Sequence, residues 1–459
     1  MSRCDEAIAA GEADHAFAML SRFDHLILAV SGGPDSLALL YLVDEWIKRH
    51  RPLTPALSTS WRSHASHDGG EGDVRNVPVV SVATVDHGLR EESAREAEIV
   101  AGHCRTLGLM HATLRWDGAK PARGIPNAAR EARYALLEAH ARTVGVGGSV
   151  AVVTAHHQDD QAETVFMRLA RGGGVDALAA MRAERLLIET SPVCLVRPLL
   201  GFSKAQLIAT LSAHGVSWLD DPTNSNTKFE RARVRQTLEA SGLDAAALAA
   251  TARRMQDARE GLNYAAQRFK ETLALSYNGG IFASFDRPAF DAGPVVLRRI
   301  IIAGLIGNFG GSTPKPEVSE IEALTTRIGS CGETTMLTLG GTMVSAGQRV
   351  VRLWREPGRI RGVDVNLTPG RPQLWDERFW VSFLGAGGTD VTVRPLGLDG
   401  LGTIAEQIAD EPRLPVEAVV GLPAFWVDAT LLAVPQLAVT TDAGKRDCAL
   451  KFSSEPVVS

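Results

Sequence analysis

The stretch "AVSGGPDSLALL", residues 29–40, places two glycines, a proline, an aspartate and two serines between an apolar segment and an apolar helix. Pro34 has the fixed φ that suits a first helical turn, so a helix is expected to begin there. The backbone N–H groups of a first turn have no partner within the helix and point into the loop. The glycines let the backbone come close to a ligand, and the serine hydroxyls add donors. The predicted phosphate-binding residues are Ser31, Gly32, Gly33, Pro34, Asp35 and Ser36.

This loop differs from two familiar phosphate-binding motifs. It has no lysine and lacks the spacing G-x-x-x-x-G-K-[ST], and G-x-G-x-x-G is also missing. Asp35 instead puts a carboxylate beside the expected phosphate groups. The repulsion becomes favourable when Mg²⁺ lies between carboxylate and phosphate oxygens. For the bare S-G-G, the alternative is an ordinary strand-to-helix turn in which Ser and Asp cap the helix.

Apolar strands and helical patterns alternate on both sides of this loop. The alternation predicts an α/β fold, with a parallel, Rossmann-like sheet covered by helices on both faces. In such sheets ligands bind at the carboxyl ends of the strands. Polar clusters at residues 31–36, 86–90 and 156–160 follow three of the strands, so we expect them at one edge. The expected strands are residues 25–32, 77–87, 110–116 and 149–157.

A chain of 459 residues is too long for one ordinary core. The patterns predict an α/β domain at 1–225, a largely helical middle domain at 226–358 and a small β-rich domain at 359–459. Residues 51–76 have no periodicity and many Ser, Gly and Pro residues, so we interpret them as a surface insertion.

The bulk composition is typical of a soluble globular protein, with 45% hydrophobic and 22% charged residues. No apolar stretch approaches ~20 residues, so no membrane partner is expected. The first residues are acidic and lack the order of a signal peptide, which favours a cytoplasmic location. The five cysteines lie far apart without a C-x-x-C pair, so neither a disulfide framework nor a cysteine metal site is expected.

The motif S-G-G-x-D-S after the first strand resembles the pyrophosphate loop of the N-type ATP pyrophosphatases, which cleave ATP between the α- and β-phosphates. Further stretches narrow the resemblance to the tRNA(Ile)-lysidine synthetase family. The similarity is dense over residues 24–236 and continues faintly towards the C-terminus. The matching stretches are "VDHGLREES" (85–93), "NAAREARY" (127–134), "AHHQDDQAETVFMRLARGGG" (155–174), "RPLLGFSK" (197–204) and "WLDDPTNSNTKFERARVR" (218–235).

This resemblance implies an ATP-dependent ligation of free L-lysine to C2 of the wobble cytidine in tRNA(Ile) with a CAU anticodon. Adenylation of O2 would precede attack by the lysine side-chain amine, giving lysidine, AMP and pyrophosphate. A neutral cytosine carbonyl is a poor electrophile, so it first needs a good leaving group. Charge on the phosphoryl oxygens can be stabilised by Mg²⁺, loop N–H groups and an arginine. The attacking amine must lose a proton to a carboxylate or histidine.

The resemblance also implies that the domain at 1–225 binds ATP and carries the catalytic residues, that the middle domain binds substrate or tRNA, and that the domain at 359–459 binds tRNA. The oligomeric state stays open, and a homodimer is one alternative.

The resemblance and the residue types together give a set of candidate site residues. His87 and His156 are expected to border the nucleotide, and Asp35 and Asp159 to bind Mg²⁺. The structural alternatives are a helix cap at Asp160, a packing role for the histidines and a solvated helix surface for the arginines. The predicted catalytic residues are Asp35, Asp159, Arg130, Arg133 and His157.

A basic segment after the predicted catalytic domain is the candidate for tRNA contact. Its alternative is again a solvated helix surface. The sequence departs from the family at Ala232, where many relatives have asparagine after an arginine. The predicted tRNA-binding residues are Arg171, Lys228, Arg231 and Arg235.

Two other functions share these motifs. A tRNA thiolase adenylates in the same way but generally needs clustered cysteines, whereas Cys104 and Cys194 have apolar surroundings typical of buried thiols. A non-catalytic tRNA-binding protein on this fold has no use for carboxylates that repel phosphate. The acidic residues Asp35, Asp159 and Asp160 therefore favour the enzyme, and the scattered cysteines favour an amine nucleophile.

Overall fold

The structure is a computed structural model, and the chain forms two compact units, residues 1–259 and 260–459. The predicted boundaries at 225 and 358 remain predictions, and the predicted insertion at 51–76 lies outside the described residues except for Arg51. Among the described residues, no helix is both long and apolar enough to cross a membrane. The structure describes residues 6–51, 77–88, 92–118, 120–121, 124–188, 191–218, 230–311, 313–330, 332–360, 364–385, 390–408, 414–446 and 451–456.

The first unit is built on a six-stranded sheet. Its strands are His25–Ala29 (β1), Val79–Asp86 (β2), Met110–Arg115 (β3), Val150–Val153 (β4), Glu184–Leu186 (β5) and Cys194–Val196 (β6). The spatial order is β3-β2-β1-β4-β6-β5, and every pairing is parallel except that of β5 with β6. The predicted parallel sheet is confirmed, and the four expected strands are β1 to β4. The short strands β5 and β6 were not expected.

Helices cover both faces of this sheet, as predicted. They are Ala10–Phe17 (α1), Pro34–His50 (α2), Glu92–Leu107 (α3), Ile125–Val144 (α4), Gln158–Ala170 (α5), Val175–Leu178 (α6), Lys204–Ala213 (α7) and Glu230–Ser241 (α8). Side chains alternate along β1, so Leu26 and Leu28 pack with α1, α2 and α7, whereas Ile27 packs with α4 on the opposite face. The helix α2 therefore lies on one face of the sheet and α4 on the other.

The helix α8 packs against α5 of the same unit. The next helix, Ala245–Thr272 (α9), contributes Leu248 and Ala252 to a small core with Val165 of α5. The Ala-rich sequence of residues 228–275 predicts helices, and the prediction is confirmed from α8 onward. The first half of this segment belongs to the unit that contains the parallel sheet.

The second unit begins with a four-stranded antiparallel sheet and three helices. The strands are Phe282–Asp286 (β7), Thr335–Leu339 (β8), Thr342–Ala346 (β9) and Val350–Arg355 (β10), and the helices are Arg287–Ala292 (α10), Val295–Phe309 (α11) and Val318–Ser330 (α12). The sequence stretches 334–341 and 348–356 predict a hairpin of two short strands, and this pairing was wrong, because the corresponding strands β8 and β10 each pair with β9. Strand β9 lies between them, because Gly340 and Gly341 adopt positive φ and turn the chain directly after β8.

The last hundred residues are rich in β-strands, as expected. A five-stranded sheet and a three-stranded sheet share one core with the helices Gly397–Ile404 (α13) and Val416–Val420 (α14). A short helix, Asp442–Arg446 (α15), precedes the last strand. The strands are Val365–Asn366 (β11), Gln373–Trp375 (β12), Phe379–Leu384 (β13), Thr392–Pro395 (β14), Pro423–Val427 (β15), Thr430–Val434 (β16), Val439–Thr440 (β17) and Lys451–Pro456 (β18).

A buried ion network joins segments of the second unit. Arg355 donates from Nε and Nη2 to the two carboxylate oxygens of Asp376, at 2.8 and 2.9 Å. Arg378 donates from Nε to Asp376 Oδ2 at 2.9 Å. Arg355 also donates to the backbone carbonyls of Gly341 and Arg359, at 3.1 and 3.2 Å. One carboxylate thus neutralises two buried guanidinium groups from different strands and turns.

Replacing this carboxylate tests the network. Asp376→Asn should lower the free energy of unfolding of the second unit by about 3–5 kcal/mol, because two buried cations lose their partner. Asparagine tolerates the left-handed backbone at this position (φ 47°), so the change removes charge without backbone strain. The surface change Asp442→Asn, which loosens a pair with Lys445, should cost less than about 1 kcal/mol. Hydrogen exchange of β13 and β15 in the full chain is the measurement, and equal protection in both variants contradicts the assignment.

Candidate functional site

The phosphate loop predicted at residues 31–36 lies between β1 and α2, near the centre of the parallel sheet. Gly32 has a φ of 86°, which only glycine adopts readily, and Pro34 is the first helical residue. Ser36 Oγ accepts the N–H of Ser31 at 3.1 Å and donates to the carbonyl of Gly33 at 2.9 Å. A Cβ placed on Gly33 would meet only Ser31 Oγ, at 3.9 Å. The loop is therefore fixed by its own hydrogen bonds and open to close approach.

His157 brings the carboxylates of this edge together. Its Nε2 lies 3.5 Å from Asp35 Oδ2, and its Nδ1 lies 3.4 Å from Asp159 Oδ2. The side chain is only 3% exposed. Burial alone would lower the pKa of His157, but contacts with Asp159 and Asp35 and the charge of Asp160 raise it to about 10. The sequence placed these residues on different segments, and the fold joins them around one imidazole ring.

The two carboxylates on either side of His157 are held differently. Asp159 Oδ2 accepts the backbone N–H of Lys204 at 2.9 Å. Burial works to raise the pKa of Asp159, but the contact with His157 and the hydrogen bond from Lys204 lower it overall. Asp35 Oδ1 is buried and has no hydrogen-bond partner within the described chain. This oxygen is an acceptor available to a cation or a donor.

Asp160 accepts the backbone N–H of His157 at 3.1 Å and forms a capping box at the start of α5. The helix-capping alternative for Asp160 is thus present in the structure. Its Oδ2 also lies 3.6 Å from His157 Nε2. The residue therefore fixes the helix start and adds a third negative charge near the ring.

The two histidines expected beside the nucleotide carry no charge at neutral pH. Burial, aided by the neighbouring Arg197 and Arg133, lowers the pKa of His156 to about 2. Its Nδ1 lies 2.9 Å from Thr154 Oγ1. Burial and Arg133 also lower the pKa of His87, which follows β2. A neutral imidazole has one donor and one acceptor nitrogen, so both rings can form hydrogen bonds with a ligand without adding charge to the site.

The predicted arginines of α4 lie at the same edge but on the face opposite α2. The guanidinium of Arg130 lies 5.0 Å from the ring centroid of Tyr134. Burial lowers the pKa of Arg133, and the nearby positive charge of Arg130 acts in the same direction. The charges of Arg133 and Arg130 also reach His156. Arg130 and Arg133 are thus placed beside the ends of the central strands.

Sequence reasoning missed three residues of this edge. Arg185 on β5 lies 5.4 Å from the same tyrosine ring, and Arg197 follows β6 directly with only 3% exposure. Tyr134 itself connects them. The stretches "NAAREARY" and "RPLLGFSK" contained Tyr134 and Arg197, but nothing in the sequence showed that β6 would place them together.

Three of the four residues predicted to contact tRNA form ion pairs with acidic residues of this unit. Arg171 pairs with Glu230, and Arg231 Nη1 lies 3.9 Å from Asp160 Oδ1. Arg235 bonds to Glu163, a side chain of α5 that is only 2% exposed. Lys228 lies outside the described residues. These ion pairs place Arg231 and Arg235 beside α5 and Arg171 beside α8. That these arginines contact tRNA stays a prediction.

The described cysteines do not form a cluster. Cys104 is buried on α3, and Cys194 lies on β6. Burial raises the pKa of the Cys104 thiol to about 11. In the part of the chain that the structure describes, no group of three or more His, Cys, Asp or Glu side chains is arranged to hold a metal ion.

Comparison with known proteins places the chain among relatives that cover most of its length. Residues 7–241 match the family model of the PP-loop domain. A tRNA(Ile)-lysidine synthase from Bradyrhizobium sp. strain BTAi1 is 41% identical over 379 residues, which are 77% of this chain and 96% of that protein. The enzyme of the same name from Brucella suis biovar 1 is 34% identical over 427 residues, 91% of this chain and 87% of that protein.

Among solved structures, a U34-tRNA thiolase from Methanococcus maripaludis with its 4Fe-4S cluster shares 15% sequence identity with this chain. The superposition has a TM-score of 0.38 and covers 55% of this chain and 78% of the thiolase. The match of residues 7–241 and the identity with curated relatives over nearly their whole length decide the family. The chain belongs to the tRNA(Ile)-lysidine synthase family and contains its PP-loop domain.

Proposed function

We propose that this chain ligates free L-lysine to C2 of the wobble cytidine of tRNA(Ile) with a CAU anticodon. The reaction consumes ATP, passes through an adenylated cytidine and releases AMP and pyrophosphate. One observation carries the proposal: the phosphate loop, Asp35 and Asp159 meet around His157 at the carboxyl edge of the sheet. The relatives named tRNA(Ile)-lysidine synthase, which align with this chain over most of their length, support the choice of substrates.

The loop residues fit a triphosphate. The first turn of α2 offers backbone N–H groups without helical partners, and the exposed residue Ser31 precedes that turn. The open side of Gly33 leaves room for close contact. We assign the binding of pyrophosphate to this loop, with the uncharged His87 and His156 next to the nucleotide.

The carboxylates Asp35 and Asp159 fit a magnesium ion. Mg²⁺ is usually held by one or two carboxylates together with substrate phosphates and water, so a cage of three protein ligands is not required. Asp35 Oδ1 has no protein partner, and the Asp159 side chain is 39% exposed. Bound there, Mg²⁺ would supply positive charge to the phosphate oxygens.

The remaining residues have distinct roles in this proposal. His157 is a positioning residue, because its two ring nitrogens contact the two carboxylates and fix their separation. Arg130 and Arg133 stabilise negative charge on the phosphates of the tRNA substrate from the side of α4. The attacking amine must lose a proton, and the carboxylates at this edge are the acceptors nearest the phosphate loop.

The reaction itself is tested with full-length protein, labelled ATP, Mg²⁺, tRNA and labelled lysine. Lysine should enter only an isoleucine tRNA with a CAU anticodon, with one AMP released for each lysine incorporated. AMP release without lysine incorporation would retain the adenylation step and contradict the amine nucleophile, as for a thiolase. Firm tRNA binding without any ATP cleavage would indicate a non-catalytic binder.

The role of Asp35 gives a sharper prediction. Asp35→Ala should reduce AMP formation at least ~100-fold, because phosphate charge loses its main stabilisation. The affinity for tRNA, measured by filter binding, should change less than about twofold, since one carboxylate next to phosphate adds no attraction. The control Asp257→Ala removes an exposed carboxylate from α9 and should leave both quantities unchanged. Unchanged AMP formation in Asp35→Ala would contradict the proposed mechanism.

The proposed tRNA contacts compete with carboxylates of the protein. The pair of Arg171 and Glu230 is exposed at both side chains, so RNA phosphates can reach the arginine. Glu230→Gln should therefore strengthen tRNA binding by up to about fivefold, the value of a surface ion pair of about 1 kcal/mol. Arg171→Gln should weaken it and lower its salt dependence. Identical affinities of both variants and the unaltered protein would exclude Arg171 as a contact.

Two further properties of the protein are its cellular location and its oligomeric state. Since tRNA and ATP meet in the cytoplasm, we propose that location. The homodimer remains a prediction, and light scattering of the full-length protein at several concentrations measures it.

A further inference from the structure

Four arginines gather around one tyrosine on the α4 side of the sheet. We call Arg130, Arg133, Arg185 and Arg197, together with Tyr134, the arginine cluster. Two guanidinium groups lie over the tyrosine ring, that of Arg130 at 5.0 Å and that of Arg185 at 5.4 Å from its centroid. Arg133 precedes Tyr134 on α4, and Arg197 follows the strand with which β5 pairs.

The charge of this cluster is not neutralised within the described chain. The structure pairs none of its four arginines with a described carboxylate, whereas Arg171 and Arg235 of the same unit each contact one. The side-chain N–H groups of Arg185 donate to the carbonyls of Leu186 and Leu187. Like charges so close together repel each other, and an anion among them would remove that repulsion.

One donor atom of the cluster has no hydrogen-bond partner in the described chain. Arg197 is 97% buried, given its exposure of 3%, and its Nη1 donates to the carbonyl of Arg182 at 2.8 Å. Its Nε is buried and has no partner in the described chain. Buried donors are almost always satisfied in native proteins. The unpaired Nε of Arg197 therefore indicates a ligand. This observation is independent of the excess positive charge of the cluster.

The charges act on the groups around them. Burial works to raise the pKa of Tyr134, but Arg130, Arg197, Arg133 and Arg185 lower it overall. The hydroxyl oxygen of this tyrosine thus lies in a strongly positive environment. Its ring supports two of the guanidinium groups by cation–π contact, which fixes their direction.

The cluster is separate from the phosphate loop. Helix α4 packs on the face of the sheet opposite α2, which begins at the loop. Strands β6 and β5, which carry Arg197 and Arg185, lie beyond β4 in the sheet order, whereas the loop follows β1. Both sites are nevertheless near the carboxyl edge, because Arg197 comes directly after β6.

We propose that the arginine cluster is a second phosphate site and that it holds a phosphodiester of the RNA substrate beside the target nucleotide. Tyr134 is its positioning residue. This inference rests on the proposed function, which requires two phosphate-bearing ligands at one edge. The loop at residues 31–36 accommodates the nucleotide, and the second face then receives the RNA backbone. Guanidinium groups suit this task because their planar N–H groups match the oxygens of a phosphate.

A salt titration of RNA binding tests the proposal. Full-length protein is mixed with a tRNA transcript carrying the CAU anticodon, without ATP, at several salt concentrations. Arg185→Gln should weaken binding and reduce the slope of log affinity against log salt by about 0.7 to 0.9, the value of one phosphate contact. The control Arg142→Gln removes an exposed arginine at the other end of α4, paired with Glu138, and should keep the slope.

Two variants of the tyrosine separate positioning from folding. Tyr134→Phe keeps the ring and its cation–π contacts, and should retain most of the affinity for tRNA. Tyr134→Leu removes the ring, and should lower the affinity and the slope as Arg185→Gln does. Equal binding by Tyr134→Leu and the unaltered protein would overturn the positioning role.

A second measurement distinguishes the source of the phosphate. The affinity for a non-hydrolysable ATP analogue, measured without tRNA, should be the same in Arg185→Gln and the unaltered protein. A loss of analogue affinity with an unchanged tRNA slope would overturn the proposal, since the cluster would then hold the nucleotide. If the unaltered protein incorporates no lysine while the slope still falls in Arg185→Gln, the proposed function fails and the RNA phosphate site stands.

Discussion

The parallel pairing of β1 with β2 and β4 is the constraint on which the candidate site depends. Parallel strands end at the same edge, so the residues that follow each strand meet without any further interaction. The phosphate loop follows β1, His87 follows β2, and His156 and His157 follow β4. Residues about 120 positions apart in the chain thereby come within hydrogen-bonding range of one another, as Asp35 and His157 show.

Acidic and basic side chains at the carboxyl edge of the sheet come from different elements. Negative side chains belong to the starts of α2 and α5, where the helix dipole favours carboxylates. The arginines of the arginine cluster, on α4, on β5 and directly after β6, have no described carboxylate partner, whereas Arg231 and Arg235 of α8 contact the carboxylates of α5. The carboxylates of α2 and α5 suit an anion that binds through a cation, and the unpaired arginines suit an anion that binds them directly.

Much of this edge could be predicted because its signals are local. A glycine-rich turn before Pro34, apolar strands and acidic residues at the start of a helix are each visible within a few residues. The position of Arg185 and Arg197 beside the predicted Arg130 and Arg133 could not be predicted, because β5 and β6 have only three residues each and carry almost no pattern. The pairing of Arg235 with Glu163 was equally hidden, since it depends on how α8 packs on α5. In the second unit, nothing in the sequence marked Asp376 as the partner of two arginines.

The two kinds of arginine in this protein differ in what surrounds them, and that difference carries functional meaning. Arg355 and Arg378 are buried, contact the carboxylate of Asp376 and donate hydrogen bonds to backbone carbonyls. Their positive charge is neutralised within the fold and stabilises it. Arg185 and Arg197 are held by backbone carbonyls too, but no described carboxylate compensates them. A fold that only needed to be stable would gain from replacing such charges with apolar side chains, as buried ion pairs often allow. Their presence at the edge that also carries the phosphate loop is therefore explained by a ligand rather than by packing.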